Sequence, residues 1–376
     1  MIAQPPVWFI LIAFICALGP LVFFHEFGHY IVGRWFGVGA ETFSIGFGHE
    51  IFGWTDKRGT RWKVGWLPLG GYVRFVGDMN PASAPAAPDD VPPELRDRSF
   101  HLKPVWQRFL IVLAGPAANF LLAITIFAVF FATFGMPRTP NVVGIVQPGS
   151  VAERAGIRPG DRIADIAGQD VDSFEDIQRV VAIRPGETVT IGIERGGRPL
   201  PVRVKLGVLE EQDRFGQNFR IGLLGVMQSS RVLERLGPTE LLPAATGYTF
   251  ALTRSMIDGI VQIVTGRRST KDLGGPLKIA QIAGQQASLG AFPFIQLLAL
   301  FSINLGFINL LPVPMLDGGH LLFYSLEAIR RRPVSARAQE WAFRGGLALL
   351  LALMVFTTVN DLDSFGLWER LGRLIG

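Results

Sequence analysis

Four apolar stretches constrain this chain most, because each is long enough to cross a lipid bilayer as a helix. They cover residues 7–32, 105–134, 292–311 and 343–359, and a helix of about 20 residues spans the hydrocarbon core. Hydrophobic residues make up 49% of the 376 residues and charged residues only 18%, less than the roughly 25% of soluble domains. The sequence therefore predicts a polytopic α-helical membrane protein with about four transmembrane helices.

Lysine and arginine are concentrated in two of the connecting segments, which predicts the orientation. Lys57, Arg58 and Arg61 lie between the first two spans, and Arg330–Arg332 lie between the last two. By the positive-inside rule, both segments are cytoplasmic, and residues 135–291 are outside. The first nine residues contain no basic residue, so the first stretch is expected to be a retained span and not a cleaved signal peptide. The net charge of +5 is attributed to this topology, and no nucleic-acid partner is expected.

The first cytoplasmic segment contains the run RWKVGWLPLGGYVRFVGD, residues 61–78. It alternates aromatic and branched residues with glycine, which is typical of short strands. Because it is unusually apolar for a loop, a membrane-associated β-hairpin is predicted, and its free edge could accept another strand. The Pro/Ala-rich stretch at residues 80–94 is predicted to be a flexible linker.

Residues 141–206 of the outer segment predict one compact β-rich domain, since short β runs alternate with Pro-Gly and Gly-Gly turns. One amphipathic helix is expected over residues 173–182, with Ser173 as the N-cap and Asp176 at the third helical position. Farther along, residues 240–267 have helical periodicity but many polar positions. They predict an amphipathic helix on the outer membrane surface, with a fifth span as the alternative.

The sequence HEFGH at the end of the first span places three ionisable groups in an apolar segment. His25 and His29 are four residues apart and share one helix face, so both imidazoles can bind one Zn²⁺. Glu26 follows the first histidine, in the position of a general base for a metal-assisted hydrolysis. Ionisable groups in a span need a compensating partner, and a metal ion would provide one.

A catalytic zinc site has three protein ligands and an open position, so a third ligand must come from elsewhere. Asp317 is the candidate, because Pro312 and Pro314 break the helix just before it at the cytoplasmic end of the third span. His320 is close to it in sequence, whereas His49 and His101 are expected to be solvated. Cys16 is the only cysteine, which excludes an intramolecular disulfide and a cysteine-based metal site.

The stretch PGSVAERAGIRPGDRIADIAGQDV resembles PDZ domains of the bacterial, circularly permuted kind. The resemblance implies a PDZ domain at residues 140–206 on the periplasmic side. PDZ domains bind a peptide as an added strand, here near residues 142–146. The alternative is a steric cap that binds nothing.

Several motifs together resemble the site-2 proteases, specifically the bacterial RseP-like regulated intramembrane zinc metalloproteases. The motifs are HEFGH, GPAAN at residues 115–119 and NLLPVPMLDGG at residues 309–319, with the PDZ domain between them. The resemblance implies that one catalytic Zn²⁺ is bound by His25, His29 and Asp317 and that Glu26 is catalytic. It departs from well-known members in one respect, because those carry two tandem PDZ domains and this chain contains one.

The resemblance also implies which residues contact the substrate. Asn309 would help hold the substrate backbone, and the hairpin would pair with the substrate as an added strand through Gly70, Gly71, Tyr72 and Val73. Asn119 could provide a further contact, although a hydrogen bond between helices is an equal alternative.

The predicted function is an intramembrane zinc endopeptidase of the bacterial inner membrane that cuts a single-span membrane protein near its cytoplasmic side. By resemblance, the substrate is an anti-sigma factor already trimmed outside, or a remnant signal peptide. Two alternatives come from other classes: a metal or proton transporter with intramembrane His and Asp, and a membrane-anchored PDZ scaffold with a structural metal. Replacing Glu26 by Gln would separate them, since only a protease would lose its activity.

The predicted division of the chain alternates membrane and soluble segments. It comprises spans at 1–36, 104–136, 291–323 and 343–376, the hairpin and linker at 37–103, the PDZ domain at 140–206, a periplasmic linker with the surface helix at 207–290, and a basic loop at 324–342.

Overall fold

The computed structural model describes residues 5–77, 92–212, 218–228, 232–266 and 274–364. Within these residues, four helices are long and apolar enough to cross a membrane. They are α1 (Val7–Trp35), α2 (Val105–Phe134), α7 (Ala291–Leu310) and α9 (Ala336–Ser364). The predicted spans are confirmed as helices, and the fourth extends beyond its predicted limits at both ends.

The hairpin predicted after the first span is present as two long antiparallel strands, β1 (Ala40–Thr55) and β2 (Arg61–Phe75). Each strand bends, so residues 42–45 of β1 pair with 61–64 on one side and with 71–74 on the other. Residues 71–75 therefore form an edge of this sheet. The sheet packs on α1 through a buried cluster that includes Tyr30, Phe43 and Phe75. Membrane association of the hairpin stays a prediction.

The predicted linker lies largely outside the described residues, which omit 78–91. Its last two residues begin a short 3₁₀ helix, Pro93–Arg98. The tail after residue 364 also lies outside the described residues.

The chain divides into two compact units. The first comprises Met1–Ala128, Ala244–Asp258 and Ser269–Gly376, and the second comprises Val129–Pro243 and Gly259–Arg268. The second unit is β-rich. Its elements are β3 (Met136–Arg138), β4 (Val143–Val146), α3 (Val151–Arg154), β5 (Arg162–Ile166), β6 (Gln169–Asp170), α4 (Phe174–Ala182), β7 (Thr188–Arg195), β8 (Arg198–Lys205), β9 (Gly207–Gln212), β10 (Asn218–Leu223), β11 (Val226–Gln228) and β12 (Val232–Glu234).

The core of this β-rich unit forms as the sequence pattern predicts. A sheet of order β6-β5-β7-β8 covers α4 through Ile163, Ile177 and Ile191, which are all fully buried. Ser173 accepts a hydrogen bond from the backbone N–H of Asp176 in a reciprocal capping box, so the predicted helix start is confirmed. The alternation of buried and exposed residues in β7 is what a sheet with one face in the core requires.

The β-rich unit continues beyond residue 206, the predicted end of the domain. Strand β11 pairs with β4, and β9 pairs with β10. Gly222 of β10 lies so close to the carbonyl of Val181 on α4 that a side chain there would overlap it. The extra strands were missed because they are short and because the contacts that hold them are distant in sequence.

Three further helices belong to the segments between the spans: α5 (Pro238–Val264), α6 (Pro276–Ser288) and α8 (Asp317–Arg330). Helix α5 is the predicted amphipathic helix, and it is not among the helices apolar enough to span. Helices α6 and α8 replace parts of the predicted linker and basic loop. Helix α6 packs along α1, where Gly284 lets the two backbones approach at Ile10.

Candidate metal and active site

His25 and His29 occupy one face of α1, as their spacing predicts. Their exposed fractions are 8% and 9%, and their imidazole centroids are 4.9 Å apart. The face is covered by α2, which approaches closely because Gly28 has no side chain. A β-carbon at Gly28 would overlap the carbonyl oxygen of Ala114. The glycine in HEFGH therefore allows the histidines to be buried against a neighbouring helix.

Asp317 reaches the same place through a turn between α7 and α8. Helix α7 ends at Leu310 and α8 begins at Asp317, so the break expected from Pro312 and Pro314 is confirmed. A β-carbon at Gly318 would overlap the carbonyl of Leu311, and one at Gly319 would lie 2.6 Å from the carbonyl of Val313. The two glycines after Asp317 thus let α8 start directly against the turn.

The structure brings one atom from each of these three residues together. Asp317 Oδ2 is 3.2 Å from His25 Nε2 and 3.5 Å from His29 Nε2, and the two Nε2 atoms are 3.3 Å apart. Ligands placed tetrahedrally at zinc distances of 2.0–2.2 Å are about 3.3–3.6 Å apart. Asp317 Oδ2 is also a buried oxygen without a hydrogen-bond partner. The residues therefore fit a zinc ion on both geometry and donor chemistry.

Helix α2 supplies the environment on the far side of the imidazoles. His29 Nδ1 is 2.9 Å from the backbone carbonyl oxygen of Ile111, and His25 Nδ1 is 3.2 Å from the side-chain amide of Asn119. Between them, Gly115 lies against His29, where a β-carbon would overlap the imidazole ring. The spacing of Gly115 and Asn119 in GPAAN thus matches the spacing of His29 and His25 in HEFGH.

Glu26 lies beside the three candidate ligands and lines a cavity of about 560 Å³. Strand β2 lies beside Glu26, since a β-carbon at Gly71 would be 3.0 Å from Glu26 Cγ. The cavity walls come from α1, β2, α2, α7, α8 and α9 and include both histidines and Asp317. Glu26 is therefore placed where a bound peptide and a water molecule could meet it.

The residues predicted to contact the substrate fall into two groups. Gly70, Gly71, Tyr72, Val73 and Asn309 all line the cavity, although the amide of Asn309 donates to the Leu305 carbonyl of its own helix. Asn119 does not line the cavity. It is fully buried between His25 and α7, where its backbone carbonyl accepts a hydrogen bond from Ser302, and this favours the alternative of a contact between helices.

The other histidines differ in position. His320 lines the cavity, and its ring centroid is 5.1 Å from that of Phe343 at a tilt of 40°, whereas His49 is exposed on β1. Sequence reasoning missed the roles of Ile111 and Gly115, since a backbone carbonyl and a missing side chain leave little signal. The matched spacings of GPAAN and HEFGH are the signal that could have revealed them.

Comparison with known proteins decides the family. The family model described as peptidase family M50 matches residues 13–353. The chain belongs to peptidase family M50. A relative from Agrobacterium fabrum, named "putative zinc metalloprotease", is 45% identical over 360 residues, covering 94% of this chain and 96% of the relative. Metalloprotease MmpA of Caulobacter vibrioides is 37% identical over 389 residues, covering 97% of this M50 chain and 98% of that protein.

Among solved structures, the PDZ domain of an SdrC-like protein from Listeria monocytogenes is similar to one quarter of this M50 chain. The matched region covers 25% of this chain and 90% of the Listeria domain, at 20% sequence identity and a TM-score of 0.19.

Proposed function

We propose that this M50 peptidase is an intramembrane zinc endopeptidase that hydrolyses single-span membrane proteins. The observation that carries the proposal is the triangle of His25, His29 and Asp317 beside Glu26. Its first two members lie within a helix that is apolar enough to span a membrane. Relatives over nearly the whole chain are named zinc metalloproteases, which supports Zn²⁺ as the cofactor.

His25, His29 and Asp317 would hold one zinc ion and leave a fourth position open to the cavity. A bound zinc ion acts as a Lewis acid that polarises a carbonyl and makes water more acidic. The hydrogen bond from His29 to the Ile111 carbonyl keeps the proton of that imidazole on Nδ1. Its Nε2 lone pair is then available for the metal.

Glu26 would act as the general base. Its carboxylate takes a proton from the attacking water and passes that proton to the leaving amine. Gly71 of the edge strand lies against the side chain of Glu26, where a β-carbon would be 3.0 Å from Glu26 Cγ. The neighbouring edge strand and the catalytic base are therefore held in a defined relation.

A helical substrate must be unwound before it can be cut, because its backbone carbonyls are shielded within the helix. Each amide group that is freed in an apolar environment costs several kcal/mol unless it finds a partner. Residues 71–74 pair with β1 along one edge, and Gly71, Tyr72 and Val73 line the cavity, so their other edge could receive the unwound segment as an added strand. Asn309, which lines the same cavity, would also hold the peptide.

The physiological substrate that we propose is an anti-sigma factor trimmed on its outer side, with remnant signal peptides as the second class. The β-rich unit would act as a filter against untrimmed substrates, because the distribution of basic residues predicts that it lies outside. Deleting residues 141–228 should allow untrimmed substrate to be cut. Unchanged selectivity would contradict the filter, while leaving the peptidase itself untouched.

The decisive experiment is cleavage of single-span substrates by the purified protein in liposomes. Glu26→Gln should abolish cleavage and retain one zinc ion per chain, because Glu26 is not among the three ligands. Removal of zinc by a chelator should stop cleavage by the wild type, and added Zn²⁺ should restore it. Full cleavage by Glu26→Gln, or by protein free of metal, would refute the proposal and leave the transporter and scaffold alternatives.

A further inference from the structure

The amide of Asn119 and the imidazole of His25 make an unusual contact in the buried interface between α1 and α2. Asn119 Nδ2 is 3.2 Å from His25 Nδ1, and Asn119 Oδ1 is buried without a hydrogen-bond partner. Both residues are nine-tenths buried or more. A polar group this deep ordinarily has a partner, so the unpaired oxygen requires an explanation.

The orientation of the amide decides which nitrogen of His25 carries the proton. If Nδ2 donates to Nδ1, the neutral imidazole has its proton on Nε2 and cannot bind a metal through that atom. A half-turn of the amide instead places Oδ1 against Nδ1. The amide oxygen then accepts the Nδ1 proton, and the Nε2 lone pair faces His29 and Asp317.

We propose that Asn119 is a positioning residue, which accepts the Nδ1 proton of His25 and thereby prepares Nε2 to bind zinc. This inference rests on the proposed function. Asn119 would do for His25 what the Ile111 carbonyl does for His29, so that each imidazole has an acceptor on α2. Such partners fix the tautomer and ring orientation of a metal-bound histidine, and losing one typically costs 10–100-fold in metal affinity or activity.

Two features hold Asn119 in place for this role. Its side chain is enclosed, so it has no alternative contact with water. Its backbone carbonyl accepts a hydrogen bond of 2.7 Å from the hydroxyl of Ser302 on α7, which ties α2 to the neighbouring span. The same full burial separates it from the cavity, so contact with a substrate is not the role that the structure favours.

The test is the zinc affinity of the full chain in detergent, measured by competition with a chromogenic chelator. Asn119→Leu keeps the approximate size but removes the acceptor, and it should weaken zinc binding by about 10–100-fold. Asn119→Asp keeps an acceptor and should bind zinc within a few-fold of the wild type. Thr125→Val is the control on the same helix, because it removes only an exposed hydrogen bond from the Thr125 hydroxyl to the Leu121 carbonyl, and its affinity should be unchanged.

A second measurement does not depend on the folding of any variant. With Co²⁺ bound to the wild type, proton NMR should show two strongly shifted, exchangeable imidazole N–H signals, one for each histidine. A single signal would overturn the inference, as would an unchanged zinc affinity in Asn119→Leu. If the wild type binds no zinc at all, the proposed function itself fails; if it binds zinc and only these results fail, Asn119 alone loses its role.

Discussion

Gly115 of α2 lies directly against the imidazole of His29 on α1, with no room for a β-carbon between them. The contact explains why a glycine is needed in the middle of this long apolar helix, where it gives up about 1 kcal/mol of helix propensity relative to alanine. It also means that the position of one candidate ligand depends on the absence of a side chain on another helix.

Gly115→Ala should therefore weaken zinc binding and reduce cleavage by at least about tenfold, because the added methyl group displaces His29 Nε2 from its partners. Zinc content after gel filtration and the rate of substrate cleavage measure the effect. The control is Gly19→Ala on α1, where no atom lies within 4 Å of the new β-carbon. Wild-type zinc affinity in Gly115→Ala would show that the ring does not need this space.

Much of the fold follows from local sequence signals. The four apolar stretches, the capping box at Ser173 and the helix break at Pro312 and Pro314 each depend on neighbouring residues, and the structure has all of them. His25 and His29 could also be paired by spacing alone. In contrast, the contact of His25 with Asn119 joins residues that are 94 positions apart. No periodicity within either helix reveals that their faces meet.

Helix α6 illustrates the same limit, because its N-terminus is capped from a distant helix. Gly275 at the N-cap has no side chain, and Asp361 of α9 accepts hydrogen bonds from the N–H groups of Gly275 and Lys278 at 2.9 and 3.0 Å. Gly275 offers no side-chain cap of its own, so the neighbouring sequence does not reveal that the cap comes from Asp361.

Asp361→Ala should destabilise the first turn of α6 by about 0.5–2 kcal/mol, the usual cost of losing an N-cap. Hydrogen exchange of the full-length Asp361→Ala variant in detergent should be faster than that of the wild type in residues 275–279, whereas exchange in α7 should not change. Asp363→Ala is the control, since Asp363 is an exposed residue on the same helix. Equal protection of α6 in both variants would contradict the capping role of Asp361.

The edge strand can be tested at Gly71, which lies beside Glu26, the proposed catalytic base. A β-carbon there would lie 2.7 Å from the Ser44 carbonyl oxygen, 2.7 Å from Val22 Cγ1 and 3.0 Å from Glu26 Cγ. Gly71→Ala should push the strand away from α1 and lower cleavage by about tenfold to a hundredfold. Zinc affinity should hardly change, because no candidate ligand is touched.

Gly345→Ala on α9, where no atom lies within 4 Å, controls for a general effect of replacing glycine by alanine. A normal cleavage rate in Gly71→Ala would mean that the strand does not need its present distance from Glu26. A loss of zinc would mean that the strand supports the metal site and not the substrate.

The β-rich unit contains an ion pair that makes its stability depend on pH. Asp161 is 1% exposed, and its two oxygens accept hydrogen bonds of 2.7 Å from Nε and Nη2 of Arg195. These hydrogen bonds hold the pKa of the Asp161 carboxyl below its ordinary value, and the N–H of Arg158 contributes in the same direction. Because the pKa is lower in the folded state than in the unfolded chain, ionised Asp161 stabilises the fold.

This stabilisation is fully present above the unfolded pKa of about 3.9 and is lost as the pH falls through the lower, folded pKa. Asp161→Asn should therefore increase exchange of the β5 and β7 amides at pH 6 by about tenfold or more, since hydrogen bonds between charged groups are lost. Below about pH 4 the difference from the wild type should shrink. Asp170 is an exposed residue on β6, so Asp170→Asn provides a control with the same change of charge. If the difference between Asp161→Asn and the wild type is constant at all pH values, packing and not ionisation is responsible.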